Sequence, residues 1–334
     1  VDREGTACRW HAGRRRGAVM QAVMNKPVVL VTAADLAPEA LDMLSPFDVV
    51  FAGKQPTEDD IVALCTRRDP VAIIVRYGKV NARIMDAAGN LQVISKHGSG
   101  IDVIDQPAAA ERGIAVRAAT GANAAAVAEH AWALILACAK AVPQLDARMR
   151  SGHWDKSIHK SIELNDRTLG LVGLGAIGRR VAAAGIAFGM KVIAFDPYAK
   201  EAPAGVTLVA LDELYAASDV ISLHCPLTDD NRKMLDAAAF ARFKQGAILV
   251  NTARGGLIDE AALVDALASG RLRAAGLDSF AIEPKPHPHP FDGIANLILS
   301  PHVGGVSDTA YVNMGTAAAA NVIAVLEAHA GKAA

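Results

Sequence analysis

The stretch that most constrains the fold runs from Asp166 to Tyr198 and reads DRTLGLVGLGAIGRRVAAAGIAFGMKVIAFDPY. Leu169 to Val172 is a short apolar run of strand character. Gly173, Gly175 and Gly178 follow in G-x-G-x-x-G spacing, then an alanine-rich helical pattern, then a second apolar strand, Lys191 to Phe195, closed by Asp196. Strand, glycine turn, helix and strand in that order are the context a dinucleotide fingerprint requires. Gly173 permits the tight turn, Gly175 lets backbone approach a pyrophosphate, and Gly178 lets helix and strand pack closely. The helix aims free N–H groups and its positive dipole end at the phosphates. Asp196 is placed to accept hydrogen bonds from both ribose hydroxyls, and its charge repels a 2′-phosphate, so NAD is expected over NADP. An ordinary βαβ turn leaves Asp196 unexplained.

The chain has 334 residues, enough for two domains of ordinary size. Lys and Arg number 34 against 35 Asp and Glu, so no global field recruits nucleic acid or an anionic membrane. Aromatics are only 4%, which makes the core aliphatic. The longest uncharged apolar run, near Ala131 to Ala139, is too short to span a bilayer. Cys8, Cys65, Cys138 and Cys225 show neither C-x-x-C nor metal spacing, a pattern that suits a reducing cytoplasm. Residues 1–25 carry Arg14, Arg15 and Arg16 with no apolar core behind them, and read as a disordered extension without a signal peptide.

From Pro27 the chain alternates strand and helix. Strands are expected at Val28 to Val31, Val49 to Ala52, Val71 to Val75, Leu91 to Ile94 and Gly113 to Val116. Helices are expected at Pro38 to Leu44, Thr57 to Arg68 and Asn81 to Ala88. Repeated βα units imply a parallel sheet covered on both faces, with ligands at the carboxyl ends of its strands. Two of those ends carry polar groups, Arg76 after one strand and Lys96 within SKHGSGID after another, where Gly98 and Gly100 leave N–H groups for a carboxylate. A long apolar helix is expected from Ala124 to Arg148, buried between domains or in a subunit contact, with Glu129 and His130 as caps or interface groups.

The second half repeats the pattern. Val220 to Leu223 ends in His224-Cys225-Pro226, an adenosine-side wall. Ala247 to Asn251 ends in Thr252-Ala253-Arg254-Gly255-Gly256. Ala274 to Leu277 ends in Asp278-Ser279-Phe280 with Glu283 beyond, and Leu297 to Ser300 ends in Pro301-His302-Val303-Gly304-Gly305. The pair His287 and His289 in PKPHPHPF has no third ligand in sequence, so no metal is expected.

The fingerprint, NTARGGLID, GLDSFAIEP and SPHVGG, in this order and spacing, resemble the D-isomer-specific 2-hydroxyacid dehydrogenases, among them phosphoglycerate dehydrogenases and hydroxypyruvate/glyoxylate reductases. The resemblance covers Lys26 to the C-terminal helix. It implies an α/β fold with two parallel-sheet domains: a Rossmann NAD-binding domain over 124–306 and a flavodoxin-like substrate domain over 26–123 and 307–334. Chain crossings near Asn123 and Ser307 would form a hinge. It implies a catalytic set of Arg254, Glu283 and His302. Cofactor contacts fall on Gly173, Gly175, Ala176, Ile177, Gly178, Asp196, Pro197, His224, Cys225, Pro226, Asn231, Thr252, Ala253, Arg254, Asp278, His302, Gly304 and Gly305, with Asp278 at the nicotinamide carboxamide. Substrate contacts fall on Arg76, Lys96, Ser99, Gly100, Asn123 and Arg254. Ala176 stands where the family often has Arg, so one cation near the pyrophosphate is missing.

The chemistry explains these residue types. Hydride reduction of a 2-oxo acid builds negative charge on the carbonyl oxygen, which a protonated imidazole neutralises and, in reverse, deprotonates. A carboxylate orients the ring, and a guanidinium grips the substrate carboxylate through a planar fork. The expectation is an NAD-dependent oxidoreductase of a 2-hydroxy acid, as a cytoplasmic homodimer, of the hydroxypyruvate or glyoxylate reductase type. The alternatives are a short 3-phosphoglycerate dehydrogenase, because Arg76 and Lys96 could meet a phosphate, and an NAD-sensing corepressor-like binding protein.

Overall fold

The structure is a computed structural model, and it describes residues 26–333. The extension expected over residues 1–25 lies outside the described residues. Contacts divide the chain into two units. One comprises residues up to His97, Val103–Ala119 and Gly315 onward, and the other comprises Gly98–Asp102 and Thr120–Met314.

The first unit is built on five strands: β1 (Val28–Val31), β2 (Asp48–Phe51), β3 (Ala72–Val75), β4 (Val93–Lys96) and β5 (Ala115–Ala118). All pair in parallel, in the order β2-β1-β3-β4-β5. That is the flavodoxin-like order. β3 is AIIV and entirely buried, as a strand covered on both faces must be. Helices α1 (Pro38–Met43), α2 (Glu58–Arg68), α3 (Ala82–Asp86) and α4 (Gln106–Glu111) connect the strands. α2 opens on a capping box: the Thr57 hydroxyl accepts from Asp60 N at 3.2 Å, and Thr57 N donates back to the Asp60 carboxylate at 3.0 Å.

The second unit carries a seven-stranded sheet, β6 (Thr168–Val172), β7 (Lys191–Phe195), β8 (Val206–Leu208), β9 (Val220–Leu223), β10 (Ala247–Asn251), β11 (Leu272–Leu277) and β12 (Leu297–Leu299). Its order is β12-β11-β10-β9-β6-β7-β8, again all parallel. The order reverses between β6 and β9, the switch point of a Rossmann sheet, where ligands bind. Its helices are α5 (Ala124–Lys140), α6 (Val142–Arg150), α7 (Ala176–Ala187), α8 (Leu211–Ala217), α9 (Ala237–Arg242) and α10 (Glu260–Ala268). One apolar cluster centres on α5, α7 and β6, and the other on Phe240, Phe243, Tyr215 and Leu249.

Two expectations need correcting here. The helix expected from Ala124 to Arg148 is two helices bent by 60°. Pro143 cannot donate an N–H and its ring conflicts with the carbonyl four residues back, so the chain breaks at Ala141, which is left-handed at φ 54°. Nor does α5 owe its burial, as expected, to a second domain or subunit. Ala131, Ile135 and Ala139 are buried in this unit's own core, and Trp132 stacks on Phe188 at 4.7 Å while donating to Val181 O at 3.2 Å.

The last helix, α11 (Asp308–Ala333), is long and apolar enough in composition to cross a membrane, which the reading of apolar runs missed. In the first unit its Ala318, Ala319 and Val322 are fully buried. A methyl at Gly315 would lie 3.2 Å from Ala37 Cβ, and Asn321 Nδ2 donates to Ala118 O at 3.1 Å. These contacts make it a core helix of that unit.

Candidate active site

The three fingerprint glycines are not interchangeable. Gly173 has φ 102°, and a methyl there would lie 2.7 Å from the His224 carbonyl. A methyl at Gly178 would lie 2.2 Å from the Gly173 carbonyl oxygen. Gly175 faces open space, with nothing within 4 Å of the same position. So two glycines close the switch point between β6 and β9, and the third leaves room for a ligand. α7 starts at Ala176 without a side-chain cap, which leaves its first N–H groups for an anion. Asp196, at the end of β7, accepts from Leu174 N at 2.8 Å and Tyr198 N at 2.9 Å, which fixes its carboxylate beside the glycine turn.

Further around the strand ends lie buried polar atoms without protein partners. Among the described residues, His224 Nδ1, Thr252 Oγ1 and Ser279 Oγ are of this kind. Orphaned polar atoms in a row of strand ends fit a site built for a polar ligand. Asn231 fastens the segment after Pro226 by accepting from Thr228 N and donating to Pro226 O, both at 2.7 Å. The Cys225 thiol is pushed up to about 11 by burial, which keeps it protonated and unreactive.

His224 also carries a pH dependence. Its Nε2 meets Ser222 Oγ at 2.9 Å, and burial pushes its pKa down to about 4. Between that value and the ordinary 6.5, the unfolded chain binds a proton that the folded protein does not. Stability therefore rises with pH across this window and falls on acidification. Going from pH 7 to 5 should cost roughly 2 kcal/mol through this residue. Urea unfolding of His224→Gln at both pH values should lose about that much of the wild-type difference, and an unaltered difference would rule His224 out as its source.

Arg254 follows β10. Asn251 holds its turn, with Nδ2 donating to Arg254 O at 2.9 Å and Oδ1 accepting from Ala253 N at 3.0 Å. The guanidinium donates to Asp102 from Nε at 3.2 Å and from Nη2 at 2.9 Å, and from Nη1 to Ala253 O at 2.8 Å. That commits its Nε–Nη2 edge and leaves the Nη1–Nη2 edge for a second carboxylate. A methyl at Gly100 would lie 1.6 Å from Nη2. Gly100 therefore serves the approach of Arg254, a role separate from the anion nest read from the sequence. Nearby in this unit, Ser99 Oγ lies 3.4 Å from Asn123 Oδ1.

The loops after β10, β11 and β12 are packed together. A methyl at Gly255 would lie 1.9 Å from the Phe280 carbonyl carbon, so the Arg254 turn presses on the segment leading to Glu283. Glu283 Oε1 accepts from Phe280 N at 2.9 Å, and Oε2 meets His302 Nδ1 at 2.6 Å. Burial pushes the Glu283 pKa up. The hydrogen bonds from His302 and Phe280, with the charges of His302 and Arg254, outweigh that and hold it below the usual range. An ionised carboxylate only accepts, so Nδ1 carries the proton and Nε2 points away from Glu283. His302 is left-handed at φ 55°, uncommon for a residue with a side chain.

Asp278, 2% exposed at the end of β11, turns both oxygens to the His302 loop. Oδ1 accepts from Ser300 Oγ at 2.6 Å and Val303 N at 2.9 Å, and Oδ2 accepts from Gly304 N at 2.7 Å. His130 Nε2 lies 2.8 Å from Ser300 Oγ. His130 sits inside α5, so it is no cap, correcting the sequence reading. Gly304 and Gly305 pack tightly: methyls there would meet Asp278 Oδ2 at 2.8 Å and Asn123 Nδ2 at 2.6 Å.

The other two residues expected at the substrate belong to the first unit. Arg76 donates to Asp35 O at 2.8 Å and pairs with its carboxylate, and Lys96 Nζ donates to Val75 O at 3.2 Å and Arg76 O at 3.0 Å. The two histidines of PKPHPHPF turn to different acids: His287 Nδ1 to Asp292 at 2.8 Å and His289 Nε2 to Glu260 at 3.5 Å. Sequence reasoning passed over Asp102, Asn251 and His130 as site residues. Asp102 alone left a signal, an acid closing the same glycine-rich loop.

Residues 132–304 match the model of the D-isomer specific 2-hydroxyacid dehydrogenase NAD binding domain. The chain is 40% identical over 303 residues to D-3-phosphoglycerate dehydrogenase of Mycobacterium tuberculosis H37Rv, covering 90% of this chain and 57% of that protein. It thus spans little more than half the length of that relative. It is 41% identical over 265 residues to hydroxypyruvate reductase of Thermotoga maritima, covering 77% of this chain and 85% of the reductase. Among solved structures, a glyoxylate reductase from Paecilomyes thermophila superposes with a TM-score of 0.82 at 29% identity, covering 91% of this chain and 96% of that one. With two parallel doubly wound sheets and the glycine turn at the switch point of the second, the chain belongs to the D-isomer specific 2-hydroxyacid dehydrogenase family.

Proposed function

We propose that the protein is an NAD-dependent reductase of a small 2-oxo acid such as hydroxypyruvate or glyoxylate, reversibly forming the D-2-hydroxy acid. The observation that carries the reading is the 2.6 Å His302–Glu283 pair, packed through Phe280 against the Arg254 turn at the strand ends of the NAD binding domain.

Gly175 and the uncapped start of α7 would hold the pyrophosphate, and Asp196 the ribose. The bound nicotinamide supplies or accepts the hydride. His302 gives its Nε2 proton to the oxygen that gains charge during reduction, and takes the hydroxyl proton during oxidation. Glu283 keeps the proton on Nδ1, so the ring always presents Nε2. Arg254 takes the substrate carboxylate on its Nη1–Nη2 edge while Asp102 holds the other edge. The substrate domain is the five-stranded unit.

A substrate without a phosphate is favoured because Arg76 and Lys96 are engaged within their own unit by Asp35 and by backbone carbonyls. A 3-phosphoglycerate dehydrogenase is the second reading, favoured by the identity to the mycobacterial enzyme. Following NADH oxidation across glyoxylate, hydroxypyruvate and 3-phosphohydroxypyruvate separates the two. The first reading expects the highest kcat/KM on an unphosphorylated acid. No turnover of any 2-oxo acid, with NADH still bound, would point instead to the sensor.

The protein works as a homodimer in this proposal. One segment of the NAD binding domain exposes Val142, Met149, Trp154 and Ile158, the last two each 74% exposed. Apolar side chains gathered on so short a stretch fit a protein contact, and the partner is a second copy. Sedimentation should show a dimer for the wild type and a monomer for Trp154→Glu/Ile158→Glu. A variant that stays dimeric would move the contact elsewhere.

A further inference from the structure

We propose that Asp278, Ser300 and His130 form a positioning set that fixes the backbone of the His302 loop, so that a histidine on α5 governs the geometry of the proton transfer. The inference rests on the acid–base role given to His302 above.

A carboxylate as enclosed as Asp278 must be compensated by hydrogen bonds. All three of its closest donors come from the loop that carries His302: the Ser300 hydroxyl on one side, and the Val303 and Gly304 amides on the other. Bonds from backbone N–H to an ionised acceptor are among the stronger ones in proteins. His302 between them is left-handed, a conformation that persists only where its surroundings over-determine it. Its own backbone N–H reaches only back to Ser300 O, at 3.0 Å. The carboxylate beneath the loop is therefore what holds the bend.

His130 enters through Ser300. The serine hydroxyl has one proton, and it goes to Asp278 at 2.6 Å. Toward His130 it must accept, which places a proton on His130 Nε2, 2.8 Å away. The same nitrogen lies 3.4 Å from Asp278 Oδ1. The loop is pressed on this ring as well: a methyl at Gly304 would lie 3.2 Å from His130 Cδ2. Ring, hydroxyl and carboxylate thus form one chain from α5 to the residues flanking His302. Resemblance gives Asp278 a different task, at the nicotinamide carboxamide, but that task needs neither Ser300 nor His130.

The test compares Ser300→Ala and His130→Phe with Ser300→Thr, which keeps the hydroxyl. In the protein without cofactor, amide exchange at Val303 and Gly304 should quicken about tenfold in the first two variants, the equivalent of one lost hydrogen bond. Amides of β9 and β10 should stay as slow as in the wild type, and Ser300→Thr should restore the loop. With the best 2-oxo acid, kcat should fall about tenfold while its KM and the NADH Kd stay within about twofold. Unchanged exchange at Val303 and Gly304 would overturn the proposal, as would NADH affinity falling in step with kcat. If the wild type turns over no 2-oxo acid, the exchange result still decides what holds the loop, and only the function assigned to His302 is lost.

Discussion

Replacing His302 with Ala is expected to lower kcat by about 10²–10⁴, the usual share of a positioned general acid, with little change in NADH affinity. The ring stands 2.6 Å from Glu283 through Nδ1, so Nε2 is the nitrogen left for the reacting oxygen. Its side chain is 43% exposed, which suits a group that must reach a substrate. Glu283→Gln should follow in the same direction with a smaller loss. It keeps an acceptor for Nδ1–H but replaces the carboxylate beside the ring with a neutral amide. Steady-state rates in both directions, with NADH binding measured by fluorescence, check both variants. A His302→Ala enzyme as fast as the wild type would take the imidazole out of the mechanism. A fall in NADH affinity matching the loss of rate would turn His302 into a cofactor ligand.

Why some of this arrangement can be read from sequence and some cannot follows from the range of the interactions. The glycine turn is legible because each position has a local steric reason, visible as 2.7 Å and 2.2 Å clashes at Gly173 and Gly178 and as open space at Gly175. The two parallel sheets are legible because buried strands such as AIIV have to be apolar throughout, and AILVN departs from that only at its last residue, Asn251. Pro143 was a visible signal for the break at Ala141, hidden by the alanine-rich run on its N-terminal side. Asp102, 152 residues from Arg254, and His130, 170 residues from Ser300, belong to pairings made only by the folded sheet. No periodicity relates residues that far apart, so each reads alone as a loop acid or a helix histidine. The short elements β8, α8 and α9 escaped for another reason: three to seven residues carry too little pattern to separate from a loop.

The second large effect is expected at the guanidinium. Arg254→Lys should lower kcat/KM by about 10²–10³, mostly through KM, as the loss of paired charge-assisted hydrogen bonds worth together about 3–4 kcal/mol implies. A lysine ammonium cannot reproduce two donors toward Asp102 together with a free edge for the substrate. The loss should shrink when a 2-oxo amide replaces the 2-oxo acid, because the amide carries no charge to grip. Gly100→Ala reaches the same group without altering it. Its new methyl falls 1.6 Å from Nη2, so the guanidinium must leave its place against Asp102. Its φ is not left-handed, so the substitution introduces no backbone strain to confuse the result. Both variants should therefore raise KM for the acid and leave NADH binding intact. If Gly100→Ala is silent while Arg254→Lys is not, the guanidinium works from a different position than the one it holds against Asp102. If both are silent, the substrate carboxylate is held by another group.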